Sequence, residues 1–263
     1  MSALYIVKKI RLRSVKENAK IVLKRITMTT FKEAFESMDK IEPPKKGIRV
    51  TRFECVKPDW IRVVNAARRT RGKEPIDHEP SNKFKRGILL AEHSPIRLLE
   101  YDFTIEDIRQ WVTVHLVRHH EGCEKFIHTQ REDENVEIEK VVKALVDLIK
   151  KEGLEREGWK DRDYLMQGEG NDMDMSCNAQ AFINISRKRL CKGRPSPETR
   201  IAWELVIDAL KERDAILAEK CVPECVYRGR CPEGDKTCGY DMTQAFRDKL
   251  EEYWRIDNGQ PRD

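Results

Sequence analysis

Four apolar side chains in strict alternation, Leu99, Tyr101, Phe103 and Ile105 of LLEYDFTI, constrain this chain more than any other feature. A period of two puts all four on one face of a strand. One buried strand face needs a second layer to cover it, and the rest of the chain offers helices for that layer. DWIRVVNAARR (59–69) reads as a helix, as does IEDIRQWVTVHLVRHH, with Thr104 as its expected cap and Trp111, His115 and Arg118 on one face. The segment 136–151 is amphipathic: Ile138, Val141, Val142, Leu145 and Ile149 form its stripe and Gly153 its stop. A further helix is expected from about 178 to 190. Ser196 and Pro197 then cap and open a long one that runs to about Lys220. IRVTRFECV (48–56) reads as a second strand, and 71–83 and 159–176 as loops. The class is α+β, helix-rich with a small mixed or antiparallel sheet.

Composition narrows the partners. Charged residues make up 37% and hydrophobic residues 39% of 263, which suits a folded protein with long surface helices. An excess of 51 basic over 46 acidic residues does not mark a nucleic-acid binder, but suits anionic small ligands if the cations converge. No apolar run approaches the ~20 residues of a membrane span. The basic N-terminus carries no apolar signal core. A cytoplasmic protein is expected, with its eight cysteines reduced or metal-bound rather than paired.

Three segments are expected. Residues 1–48 read as a β-rich extension, with two strands and a short helix ahead of the Pro43-Pro44 linker. Residues 49–220 read as the main domain, and 221–263 as a cysteine knuckle with a C-terminal helix in DMTQAFRDKLEEYWRI.

Arg118-His119-His120 stands at a helix end before a polar loop with Gly122. An arginine there can grip phosphate with two hydrogen bonds, and histidine adds a switchable donor. Asn178 and Arg189 lie eleven residues apart, on one helix face about 16 Å apart at ~1.5 Å per residue. Phe182 and Ile185 share that face and are expected to floor a flat ring.

Taken in order, these segments resemble the flavin-dependent thymidylate synthases. AARR (66–69) looks like that family's early Ala-Ala-Arg helix, and AEHSPIRLLEYDFTI (91–105) like its His-x-x-Pro turn feeding a strand. The triplet at 118–120 looks like its Arg-His-Arg, and NAQAFINISRKR (178–189) like its Asn-Ala-Arg helix. The resemblance spans about 49–220 and implies the family's fold. It also implies FAD as cofactor, dUMP or another pyrimidine nucleotide as substrate, methylenetetrahydrofolate and NADPH as co-substrates, and a homotetramer. The implied activity is that of a flavin-dependent methyltransferase acting on C5 of dUMP. By position, Arg118, His119, His120, Asn178 and Asn184 would hold FAD. Arg118, Arg131, Arg162 and Arg189 would hold the nucleotide, with Arg189 and Thr129 as the catalytic pair. Several positions depart from the family pattern. His120 replaces an arginine, Leu98 a flavin-contacting histidine, and His115 a glutamine. The family's serine falls on His128, or on Thr129 if one residue is inserted. A relative with altered substrate or lost catalysis is therefore a second reading.

Cys221, Cys225, Cys231 and Cys238 form a C-x3-C-x5-C-x6-C run. Four thiolates on a compact loop suit a structural zinc, and an iron–sulfur cluster takes the same ligands. A zinc knuckle with Tyr227, Arg228 and Arg230 would also suit a nucleic-acid-binding protein, although acidic residues flank that stretch. Cys55, Cys123, Cys177 and Cys191 are expected to act as small buried hydrophobes.

Overall fold

The structure, a computed structural model, describes residues 47–57, 59–128, 140–154 and 170–256. The readings placed on 1–46, Thr129, Arg131, Ile138 and Arg162 fall outside these residues. The elements in chain order are β1 (Arg49–Lys57), α1 (Trp60–Arg69), α2 (Asn82–Leu90), a 3-10 helix (Ser94–Leu98), β2 (Glu100–Arg109), α3 (Gln110–Val117), β3 (Cys123–Ile127), α4 (Lys140–Lys151), β4 (Gly170–Asn178) and α5 (Ala179–Arg189). They continue with α6 (Pro197–Arg213), α7 (Ala215–Lys220), α8 (Glu224–Arg228), two 3-10 turns (Gly234–Lys236 and Tyr240–Met242) and α9 (Gln244–Trp254). Two compact units result: 1–44 with 130–165, and 45–129 with 166–263.

In the first unit α4 is the described element. It ends at Gly153, whose φ of 66° lets its N–H and that of Leu154 turn back onto the carbonyls of Lys150 and Ile149. Val146 is buried there and Ile149 is partly exposed.

The second unit is built on a four-stranded antiparallel sheet in the order β1-β2-β4-β3. Leu99, Tyr101, Phe103 and Ile105 are all buried, as their alternation requires. They meet Phe53, Phe182 and Trp203 in an aromatic core, with ring centroids 5.5 Å apart for Phe53–Phe103 and for Tyr101–Phe182. Trp203 Nε1 donates to Ser186 Oγ at 2.9 Å, which satisfies the two buried polar groups where α5 and α6 cross.

Three expectations are corrected. Thr104 caps no helix: β2 continues to Arg109 through a bulge at Asp107 (φ 57°), and Thr104 Oγ1 donates across the sheet to Asp174 at 2.6 Å. The loop expected over 159–176 gives way to β4 from Gly170. Gly, Asn and Asp weaken the strand signal of GNDMDMSCN, but Met173, Met175 and Cys177 alternate inward once β2 lies alongside. The long helix to Lys220 breaks at Asp214 (φ −142°, ψ 82°). The Asp214 carboxylate accepts from the Leu217 N–H, Trp60 Nε1 and the Tyr101 hydroxyl, at 2.9–3.0 Å, so it ties both helices to the sheet.

A second, smaller cluster of Val222, Val226, Phe246 and Tyr253 lies under α8 and α9. Lys220, 1% exposed, crosses to it and donates to the carbonyls of Tyr253 and Arg255 at the end of α9. No helix among the described residues is long and apolar enough to cross a membrane.

Candidate functional site

The sheet brings the end of α3, the turn into β3 and both ends of α5 together. Gly122 makes the turn with φ +67° and accepts the Asn178 N–H at 2.9 Å. Glycine is required there for a second reason: a Cβ would stand 2.4 Å from Asn178 Nδ2. Asn178 Oδ1 in turn accepts the Ala181 N–H at 2.9 Å and caps α5. Next to this turn, Cys123 and Cys177 face each other across the β3–β4 pair, Cα atoms 4.2 Å apart, joined in a disulfide. Both are buried as expected, but they are not reduced thiols.

At its other end α5 presents Arg189. Its Nε donates to His119 Nε2 at 2.9 Å, and a terminal nitrogen donates to the His115 carbonyl. Both acceptors are neutral, and no carboxylate among the described residues answers this half-buried guanidinium. Burial and the neighbouring Arg118 lower the Arg189 pKa. Arg118 itself has no hydrogen-bond or ion-pair partner among the described residues. Burial, together with Arg189, Lys125 and other nearby cations, pushes His119 down to about 4. His119 is therefore neutral at pH 7, with its proton on Nδ1, since Nε2 is the acceptor. Burial, then Arg189 and Arg118, also lowers His115, whose Nδ1 pairs with Thr199 Oγ1 at 2.9 Å. Lys125, lowered by burial, donates to the carbonyls of His119 and Cys123, at 2.6 Å in the second case.

Arg118, His119 and Arg189 are thus brought together, with His120 exposed beside them. With no carboxylate paired to Arg118 or Arg189 among the described residues, the two guanidiniums leave this corner with an excess of positive charge. Lys125 and Thr199, which position the turn and His115, carry no sequence signal that separates them from ordinary strand and helix residues.

Other predicted site residues are placed elsewhere. Asn184 is a third of a turn or more away from the Asn178–Arg189 stripe. It accepts from Gln180 Nε2 at 3.3 Å within a network that joins Gln180 and Arg187 to Glu92. Phe182 and Ile185 do not floor a ring. They share the expected face, but that face is the buried one, and they lie 0% and 1% exposed in the aromatic core. Cys221 is separated from its expected partners. It is buried in the main core beside Ser186, whereas Cys225, Cys231 and Cys238 line a cavity at the surface. Among the described residues, no group of three or more His, Cys, Asp or Glu side chains is already gathered to hold a metal ion. A cavity of about 920 Å³ between Phe53, Trp60, Tyr101 and Asp214 shares no lining residue with the arginine cluster.

The residues suit the phosphates of a dinucleotide such as FAD better than its ring. Arg118 makes no bond to a described residue, whereas Asn178 Oδ1 is committed to the α5 cap and Leu98 offers no polar atom.

No protein-family profile and no curated protein sequence matches the chain. Solved structures do resemble it. The UMP/dUMP methylase PolB from Streptomyces cacaoi, bound with 5-Br dUMP, aligns over 66% of this chain and 93% of its own, with 16% identity and a TM-score of 0.46. The flavin-dependent thymidylate synthase ThyX from Helicobacter pylori, complexed with FAD and dUMP, aligns over 67% and 99%, with 16% identity and a TM-score of 0.47.

Proposed function

We propose that this protein is a flavin-dependent, thymidylate-synthase-like methyltransferase that binds a pyrimidine nucleotide at the Arg118–Arg189 cluster. One observation carries the reading: Arg189, bonded to a neutral histidine and close to Arg118, has no carboxylate partner among the described residues, at the segments that resemble the family's nucleotide motifs. A half-buried guanidinium without a counter-ion is costly unless an anion completes it.

In this reading Arg118 binds phosphate and Arg189 lies beside the pyrimidine. A fixed positive charge at a pyrimidine carbonyl stabilises negative charge as C5 becomes nucleophilic. His119, held neutral, accepts from Arg189 Nε and so orients the guanidinium without neutralising it. His115, tied to Thr199, holds the other side through its carbonyl. FAD, held chiefly by its phosphates, would supply the hydride that completes methylation, with methylenetetrahydrofolate as the carbon source. NADPH as reductant and a homotetrameric assembly belong to the same proposal.

The test is calorimetric titration of the purified protein with dUMP, together with its visible spectrum before and after FAD. Micromolar dUMP binding that falls at least tenfold in Arg189→Ala, with a flavin spectrum that dUMP perturbs, supports the reading. Absence of both dUMP binding and flavin uptake in folded protein refutes it. Nucleotide binding without flavin uptake leaves a pyrimidine-nucleotide-binding relative and removes the methyltransferase.

A further inference from the structure

Cys225, Cys231 and Cys238 line one cavity of about 190 Å³, and the fourth cysteine on its wall is Cys191, not Cys221. Cys191 follows α5 by two residues, so it is remote in sequence from the C-x3-C-x5-C-x6-C run that it joins in space. The juxtaposition is built from both sides. Cys225 is near enough to Cys191 and Cys231 to interact electrostatically with each. Cys238 packs on the turn after α5: a Cβ on Gly193 would stand 3.1 Å from Cys238 Cβ and 3.7 Å from its sulfur. Asp241 closes the loop between the last two cysteines. It accepts from the Cys231 N–H at 3.1 Å and from Thr237 Oγ1 at 3.2 Å, and Thr237 Oγ1 accepts the Gly239 N–H in turn.

We infer that Cys191, Cys225, Cys231 and Cys238 ligate one thiophilic metal centre that pins the C-terminal segment to the end of α5. The shared chemistry is four thiolates around zinc or an iron–sulfur cluster, each thiol giving up its proton on binding. Three observations support it. The surroundings are cationic: Arg187, Lys188, Lys192, Arg194 and Arg228 line the cavity against only Glu224, Glu233 and Asp241. Four thiolates around either centre leave a dianion, which that excess partly offsets, Arg187 being already paired with Glu92. Next, the hydrophobic cluster of the C-terminal segment holds four buried residues, and units so small generally need a metal or disulfide clamp. Last, the cavity of about 190 Å³ is well above the ~10–15 Å³ of the same measure that one water needs, so it has room for a metal centre. The sulfurs must draw together for a single ion, since no metal group is preassembled among the described residues. Gly229, Gly234 and Gly239, all at positive φ, supply turns before, within and after the Cys231–Cys238 loop.

The full-length protein is purified without oxygen, and its zinc, iron and sulfide are measured per chain, with the visible spectrum. Cys191→Ser and Cys221→Ser are compared with it. The expected result is about one zinc per chain in a colourless protein, or iron and sulfide in equal amounts in a brown one. Either upholds the site and tells which centre it holds. Cys191→Ser should lose at least fivefold of the metal and Cys221→Ser should keep it. Because Cys191→Ser could fail to fold, alkylation of the wild type is mapped by mass spectrometry before and after chelation. Cys191, Cys225, Cys231 and Cys238 should become reactive together while buried Cys221 stays protected. Metal-free protein, a disulfide among these four under anaerobic conditions, or metal lost with Cys221 and kept without Cys191 overturns the inference. None of these outcomes depends on nucleotide binding.

Discussion

Gly122→Ala tests how the sheet builds the candidate site. Two costs follow from the structure. Alanine in the left-handed region costs about 1–2 kcal/mol. Its Cβ also overlaps the Asn178 amide, at 2.4 Å from Nδ2 and 2.7 Å from Oδ1 and Cγ. Asn178 must then turn away and release the Ala181 N–H, and loss of that cap costs about 1 kcal/mol. Gly122→Ala should therefore destabilise the protein by about 2–3 kcal/mol, and Asn178→Ala by about 1 kcal/mol. In the double variant the overlap is gone and the cap is lost only once, so the total stays at about 2–3 kcal/mol. A coupling of about 1 kcal/mol should appear in a double-mutant cycle measured by urea unfolding followed by tryptophan fluorescence. If the single costs add to within about 0.3 kcal/mol, or Gly122→Ala costs less than about 0.5 kcal/mol, then the turn does not press on the cap and this reasoning fails.

Arg118→Ala should weaken inorganic phosphate or nucleotide binding by roughly tenfold with little loss of stability, since Arg118 bonds to no described residue; calorimetry and thermal unfolding separate the two effects. His119 takes up its proton at about pH 4 in the folded chain and at about 6.5 in the unfolded one. The unfolded chain therefore holds more protons between about pH 6.5 and 4, and stability is lost as pH falls through that window. Discounted for partial exposure, this amounts to roughly 1–2 kcal/mol, which His119→Gln should abolish in urea titrations at pH 5 and 7. Bound phosphate should raise the His119 midpoint, read by proton NMR. Asp214→Ala should cost about 2–4 kcal/mol, because it strips partners from Trp60, Tyr101 and the α7 N-terminus together; urea midpoints check this.

Much of the local structure was legible in the residues. The alternation of Leu99 to Ile105, Ser196 before its helix, Pro197 at a first turn and Gly153 at a helix end all act through neighbours in sequence, and each of these elements formed where its signal lies. β4 was not legible, because its polar residues satisfy a strand only opposite β2. The break at Asp214 was hidden for a related reason. Its capping role depends on Trp60 and Tyr101, more than a hundred residues away.

The candidate site divides the same way. Arg118, His119 and Arg189 could be singled out by residue type and order, because a phosphate-binding guanidinium keeps its chemistry wherever it is placed. Which atoms hold Arg189, and that His119 is neutral, followed from burial and from charges contributed by three separate elements. Helical spacing put Phe182 and Ile185 on the right face, but periodicity does not say whether a face meets a ligand or the core. The cysteines make the distinction sharpest. By itself the sequence determined several helix and strand positions and that four thiols crowd the C-terminal end. Only the tertiary structure exchanged Cys221 for Cys191, since burial draws one sulfur into the core while the end of α5 delivers another to the surface cavity. Spacing along the chain measures contour, whereas metals, anions and cores select by distance in space.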